Sequence, residues 1–249
     1  ASAPSSSSSS SSFNNVNNDS NDGPSLWSAP TPNKSELDEY IDSSIALITT
    51  LAQIPGLVGQ LLSTVVPALQ SSAAMYTTTG DVGARDLSTL CSIVASSSGY
   101  FVTSFQDGGM GANNVESTFG VYSVILDVAV GILTRRTWSS GHTMLALLLQ
   151  TLKTLGTFST FLGMCVKSKN VQVQQNVAKL LNKTAGLVAC ALDVTVSPAP
   201  EILLVTTVQL TRSLLVRAKL SSTIASRLYQ ELLKSMNNLA LPQPVRERI

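Results

Sequence analysis

Charge is the first thing this chain lacks. Asp, Glu, Lys and Arg together make up 12% of its 249 residues, about half the roughly 25% of an ordinary soluble domain. The net charge of +1 implies no overall field that would steer the chain to nucleic acid or to an anionic membrane. Aromatic residues are 5%, too few for a base-stacking platform. There is a single histidine, His142, and any Ser–His–Asp or Cys–His centre would have to use it. Beside Gly141 and Thr143 it reads as a surface residue at a helix start. The three cysteines, Cys91, Cys165 and Cys190, show no C-x-x-C spacing and so no structural zinc site. An odd number cannot close a disulfide framework; at most one intrachain bridge forms.

Long apolar runs are missing too. A membrane span needs about 20 predominantly apolar residues. The longest weakly charged stretch, 143–166, carries Lys153 in its middle, and the shorter 119–134 contains Asp127. Both read as buried core helices. No charged-then-apolar leader is visible at the start of the chain.

Present instead are apolar mass and hydroxyls. Hydrophobic residues reach 44%, enough for a substantial core. Ser and Thr make up about a quarter of the chain, well above ordinary usage. The expectation is a surface rich in hydroxyls and poor in charge, commoner outside cells than in the cytosol.

Residues 1–34 are Ser-, Asn- and Pro-rich, with Phe13, Val16, Leu26 and Trp27 as their only large apolar side chains. Such a segment cannot bury enough surface to offset its ordering entropy and reads as a linker or tail. The pattern then changes at Ser35-Glu36-Leu37-Asp38, a capping-box signature, followed by Leu37, Ile41, Ile45, Ile48 and Ala52 at helical spacing. Pro55-Gly56 should end this helix. A second runs from about Leu57, with Pro67 kinking or splitting it. TTTGDVGARD (77–86) reads as a loop, followed by a third helix over about 86–105. GGMGANN (108–114) is the next connection, and a fourth helix runs from about Asn114 to Leu133. Further helices are expected over about 142–167, from a cap at Asn170 to about Leu192, from Glu201 to Lys219, and from Ser221 or Ser222 to about Leu239. VSPAP (196–200) is a break, 203–216 is β-branched enough to be an alternative strand, and 241–249 is a polar tail. The result is an all-α domain over 35–240, with about eight antiparallel amphipathic helices in a bundle or short array.

Chemistry-bearing motifs are few. Gly109-Met110-Gly111 lacks the strand before it and the final glycine of a dinucleotide fingerprint. Arg135-Arg136 suits a helix C-terminus. Three Asn-x-Ser/Thr triplets occur, at Asn18, Asn33 and Asn182, about the number chance gives in so hydroxyl-rich a chain. On the wheel of the 170–192 helix, Asn182 lies about 140° from Val177, on the solvent side, and Cys190 about 140° off the other way. Thr184 falls on the apolar side, where its hydroxyl can bond back to the Leu180 carbonyl. If 142–167 and 170–192 form a hairpin across KSKN, Cys165 and Cys190 are about 30 Å apart and cannot pair. Cys91 with Cys190, or Cys91 with Cys165, remains the allowed bridge.

The segments ELDEYIDSSIALITTLAQIP, NVQVQQNVAKLLNKTAGLVACAL and LSSTIASRLYQELLKSMNNL give a run of short amphipathic helices that resembles the helical half of the GAIN domain, the extracellular module of adhesion receptors and polycystin-like proteins. The likeness covers about 35–240 and implies a helical body displayed outside the cell. The cleavage signature of that family, a Cys- and Trp-rich β segment ending in His-Leu-Ser/Thr, is missing here. Neither self-cleavage nor any functional residue is carried over.

These observations lead to a non-enzymatic interaction module, extracellular or at the cell surface, whose partners are other protein chains. No cofactor, metal, nucleic acid, membrane or small-molecule ligand is expected. The alternatives are a cytosolic helical-repeat scaffold of the HEAT or armadillo kind, although no fixed period of about 40 residues is visible, and a coat or filament subunit with a Ser-rich arm. One prediction concerns residues 1–34. Deleting them should shift the thermal midpoint by less than about 5 °C, roughly 1 kcal/mol, in a calorimetric or circular-dichroism melt; a larger fall would mean that the arm docks on the body.

Overall fold

The computed structural model describes residues 35–237, apart from Pro55, Asp107, Gly109, Ser140, 194–199 and Lys219 and the side chains of Leu37 and 235–237. Both tails, the sequons at Asn18 and Asn33, and most of the VSPAP break lie outside the described residues. The described chain is all-α: α1 (Glu36–Leu51), α2 (Leu57–Gln106), α3 (Ala112–Thr134), a 3-10 turn at Thr137–Ser139, α4 (His142–Thr157), α5 (Ser159–Val166), α6 (Val171–Leu192), α7 (Glu201–Arg217) and α8 (Ser222–Asn237).

The helix starts follow their chemistry. Ser35 accepts from the Asp38 amide at 3.2 Å, while the Asp38 carboxylate accepts from the Ser35 amide at 3.3 Å, so the capping box closes. Asn170 caps α6 by accepting from the amides of Gln172 and Val173. Pro200 precedes α7, and Glu201 and Arg217 lie at the ends where the helix dipole favours them.

Three expectations are corrected. The stretch 77–86 is not an extended loop: two helical stretches, both counted in α2, meet there at a kink where Gly80 alone leaves helical geometry, at φ 61° and ψ −133°. The hydroxyls of Thr78 and Thr79 donate back to the Met75 carbonyl, and Tyr76 and Ala84 are buried on either side, so the threonine run keeps its turn. Pro67 does not split α2 either; its ring is on the exposed face, while Val65 and Leu69 hold the inner face in the core. The helix expected from Glu201 is formed as α7, not the strand alternative for 203–216, and Thr206, Thr207 and Thr211 each donate to the carbonyl four residues earlier. The expected fifth helix is broken into α4 and α5 at Phe158.

The helices form an array. α1 packs on α2; α2 packs on α3 and α4; α3 leads on to α6 and α4 to α7; α8 covers α6 and α7. α1 and α8 share no packed neighbour and are the two ends. Segments 112–134 and 142–166 are long and apolar enough to cross a membrane by length and composition; in this fold they occupy the middle of the array.

The few aromatics are concentrated there. Phe158 lies 5.9 Å from Phe101, 5.7 Å from Tyr122 and 6.5 Å from Phe161 between ring centroids, and Phe161 also meets Phe105 and Phe119. Offset and edge-to-face pairs of this kind contribute about 0.5–1.5 kcal/mol each beyond area burial. The hydroxyls are not confined to the surface, as composition suggested. Thr118, Thr151, Thr154, Thr184, Thr207 and Thr211 are fully buried, each bonded to a carbonyl of the preceding turn. Two also tie helices together: Thr154 donates to the Cys91 carbonyl at 3.2 Å, and the Thr184 hydroxyl lies 2.9 Å from the Tyr122 phenol.

Gly163 in α5 meets the C-terminus of α7. A Cβ there would collide with the Arg217 carbonyl oxygen and lie 3.1 Å from Cα of Ala218. Gly163→Ala should therefore destabilise by about 1–3 kcal/mol, as overpacking does. Gly99, in α2, has nothing within 4 Å of its Cβ position, so Gly99→Ala should stabilise by about 0.5–1 kcal/mol through helix propensity. Denaturant melts of the two variants check both signs.

Candidate functional site

α1 has two apolar stripes. Ile41, Ile45, Ile48 and Ala52 form the inner one, and Ala52 is buried against α2. Tyr40, Leu47 and Leu51 form an outer one, within about 40° of each other on the helix wheel, continued by Ile54 after the helix end. Tyr40 is 70% and Leu47 61% exposed. Between α1 and α2 runs a groove of about 370 Å³, lined by Ile48, Leu51, Leu57, Leu61, Leu90 and Ile93 among others, with Gln60 and Thr64 as the polar members. Terminal helices of an array usually need a polar outer face for solubility; on α1 the exposed Glu36, Asp38, Glu39 and Asp42 share the solvent side with the apolar stripe.

The opposite end has a counterpart. Ile224, Leu228 and Leu232 of α8 are buried, while Tyr229, 60% exposed, and Leu233 face out. Tyr229, Gln230, Ser226 and Ala225 line a shallow groove of about 420 Å³ with Leu215 of α7.

The near-zero net charge hides a division. Residues 35–134 contain nine acidic residues and one basic, Arg85, whereas 135–237 contain twelve basic and three acidic. α1 carries Glu36, Asp38, Glu39 and Asp42, all exposed, and no cation. On α8, Lys234 is paired with Glu231 at 2.8 Å, and Arg227 and Lys234 lie about 100–160° round the helix from Tyr229 and Leu233; Arg212 lies one turn before Leu215. An ion pair between the two halves, Lys183 to Asp127 at 2.7 Å, links α6 to α3.

The residues singled out by sequence are placed as follows. Asn182 is exposed in the middle of α6. Thr184 is buried and donates to the Leu180 carbonyl at 2.8 Å, as its phase on the wheel implied. Cys165 and Cys190 are not bonded, and the allowed bridge from Cys91 to Cys190 or Cys165 is not made: all three thiols are free, Cys91 and Cys165 buried and Cys190 exposed. Cys91 is inside the core while Cys190 faces solvent, which leaves that pair no common ground. His142 is exposed at the first position of α4. Gly111 is the N-cap of α3, without a side-chain cap. No cluster of metal-ligating side chains occurs among the described residues. The outer stripe of α1 was overlooked at the sequence level because the inner stripe already satisfied helical periodicity; the signal was Tyr40 and Leu47 at a spacing of seven, with Leu51 four further on.

Comparison with protein-family models, with curated proteins and with solved structures returned no match.

Burial pushes the thiols of Cys91 and Cys165 up to about 12, and a protonated buried thiol is inert. A thiol reagent at neutral pH should modify Cys190 alone in the folded protein and all three cysteines in denaturant. Modification of Cys91 in the native state would mean that the α2–α4 contact opens.

Proposed function

We propose that this chain is a helical interaction module that acts through its surfaces on other protein chains. The observation that carries the reading is α1, a terminal helix with a second, outward apolar stripe beside an apolar groove. Solvent-facing apolar residues arranged as a continuous patch mark contact surfaces, and an amphipathic helix seated in a groove is a recurring mode of protein recognition. A partner covering Tyr40, Leu47, Leu51 and Ile54 would remove from water a surface that the fold itself leaves uncovered.

The setting proposed is extracellular or at the cell surface, in keeping with the low charge, the abundant hydroxyls, the exposed Asn182 and the likeness to the helical half of GAIN domains. A second reading, a cytoplasmic helical scaffold, is favoured by Cys190, an exposed free thiol of the kind that persists in reducing compartments. Intact mass of native protein separates them: a glycan on Asn182 supports the first, and an unmodified Asn182 with three reduced thiols supports the second.

Leu47→Lys tests the docking face. Leu47 is 61% exposed, so the substitution should leave the unfolding free energy within about 0.5 kcal/mol of the parent. Crosslinking of the native protein in its own source should lose the adducts that involve α1. Unchanged adducts would remove the interaction reading of this face.

A further inference from the structure

Lys153 is the one charged residue in the apolar run 143–166. It lines a cleft of about 210 Å³ between α4 and α7 with Arg217, Gln209 and Ser213, above the buried Leu152 and Leu210. Lys153, Gln209 and Arg217 are exposed and Ser213 is half-buried. Neither cation has an ion pair among the described residues, and the side chains of Gln209 and Ser213 make no hydrogen bond there. No acidic residue lines the cleft. Resting on the reading of this chain as a module that acts on other protein chains, we infer that the α4–α7 cleft binds an acidic segment of such a partner.

The register of the two helices sets the spacing of the charges. α7 runs parallel to α4 and α5: a Cβ on Gly156 would lie 3.9 Å from Leu210, and one on Gly163 would meet Arg217. Lys153, three residues before Gly156, is then level with about residue 207 of α7. Arg217 stands ten residues further on, about 15 Å along the helix. The two cations therefore hold opposite ends of the groove. An extended chain advances about 3.3 Å per residue, so about five residues cover the interval, and two carboxylates on one segment meet both cations. A single small anion would be shared only by drawing two long side chains inward, at a cost in rotamer freedom. Gln209 and Ser213, one turn apart on α7 and between the two ends, offer an amide and a hydroxyl to the backbone of the segment. Cover of the helix seam by the lysine stem would account for Lys153 alone, and not for a second cation in a groove without a carboxylate. Exposed ion pairs contribute little singly; complementary charge acts here mainly on encounter rate and choice of partner.

The test is fluorescence anisotropy of a dye-labelled hexaglutamate peptide titrated with the full chain, with hexaglutamine carrying the same dye as control. Salt is set at about 0.02 M and about 0.5 M, on either side of the roughly 0.1 M at which the Debye length is about 10 Å. Hexaglutamate should bind at low salt and weaken at high salt, and hexaglutamine should not bind. Lys153→Gln and Arg217→Gln should each weaken binding at least threefold, and the double variant at least tenfold. Both side chains are exposed, so neither change should unfold the domain, which a melt of each variant checks. Arg212→Gln removes an exposed cation of α7 outside the cleft and should leave affinity within twofold. No binding at low salt overturns the inference, as does a double variant that binds like the parent. A loss at Arg212→Gln equal to that at Arg217→Gln also overturns it, since binding would then be to the basic half of the chain at large. Inorganic phosphate that displaces the labelled peptide as well as unlabelled hexaglutamate does overturns it in favour of a small-anion site. The α1 reading is tested apart from all of these by Leu47→Lys, because α1 packs on α2 and not on α4 or α7.

Discussion

A threonine inside a helix can satisfy its hydroxyl without leaving the helix, by donating to the carbonyl three or four residues earlier. That bond underlies the whole structure. Six threonines lie fully buried, and a buried hydroxyl without a partner costs about 1–3 kcal/mol. With the bond made, the side chain shows its neighbours little more than a methyl group, and a chain with so many hydroxyls can still build a core. Such bonds also bend helices slightly, which suits helices that must wrap around the aromatic cluster at Phe158 and Phe161. Ser97 is the exception among the described residues, a buried hydroxyl oxygen with no partner.

Where this bond operates, the sequence misleads. The threonine run before Gly80 reads as a loop, and the β-branched residues of 203–216 leave a strand open beside the expected helix, because propensity counts the side chain and not the carbonyl beneath it. Elsewhere the residues speak plainly. Ser35 and Asn170 each carry the oxygen that an orphan amide needs, and both cap the helices expected of them. The phase of α6 put Thr184 inside and Asn182 outside, since Val177, Leu180, Leu181 and Val188 leave only one face to bury. Charge was harder to read. A sum over the chain cancels acids against bases, although they concentrate in different stretches of it.

The order of packing gives the molecule direction. Its middle layers, α2, α3 and α4, are covered on both sides and need nothing more, whereas the terminal helices have one packed face and one open to solvent. Glu36 and Glu39 lie beside the open stripe of α1, while Asp38 and Asp42 lie on the other side of that helix. A net charge of +1 conceals an uneven distribution, nine acids and one base over 35–134 against twelve bases and three acids over 135–237.

The buried hydroxyl of Thr184 has a consequence for timing. It is held between the Leu180 carbonyl and the Tyr122 phenol, although Asn182 stands free on the surface. An enzyme that attaches sugar must read the triplet's third residue as well as its asparagine, and after α6 docks on α3 that residue is out of reach. Were the chain made in a secretory compartment, the fraction of molecules glycosylated at Asn182 would record a race between sugar transfer and the docking of α6. Slower folding would leave more molecules marked, and the glycan would serve as a stopwatch written into the product.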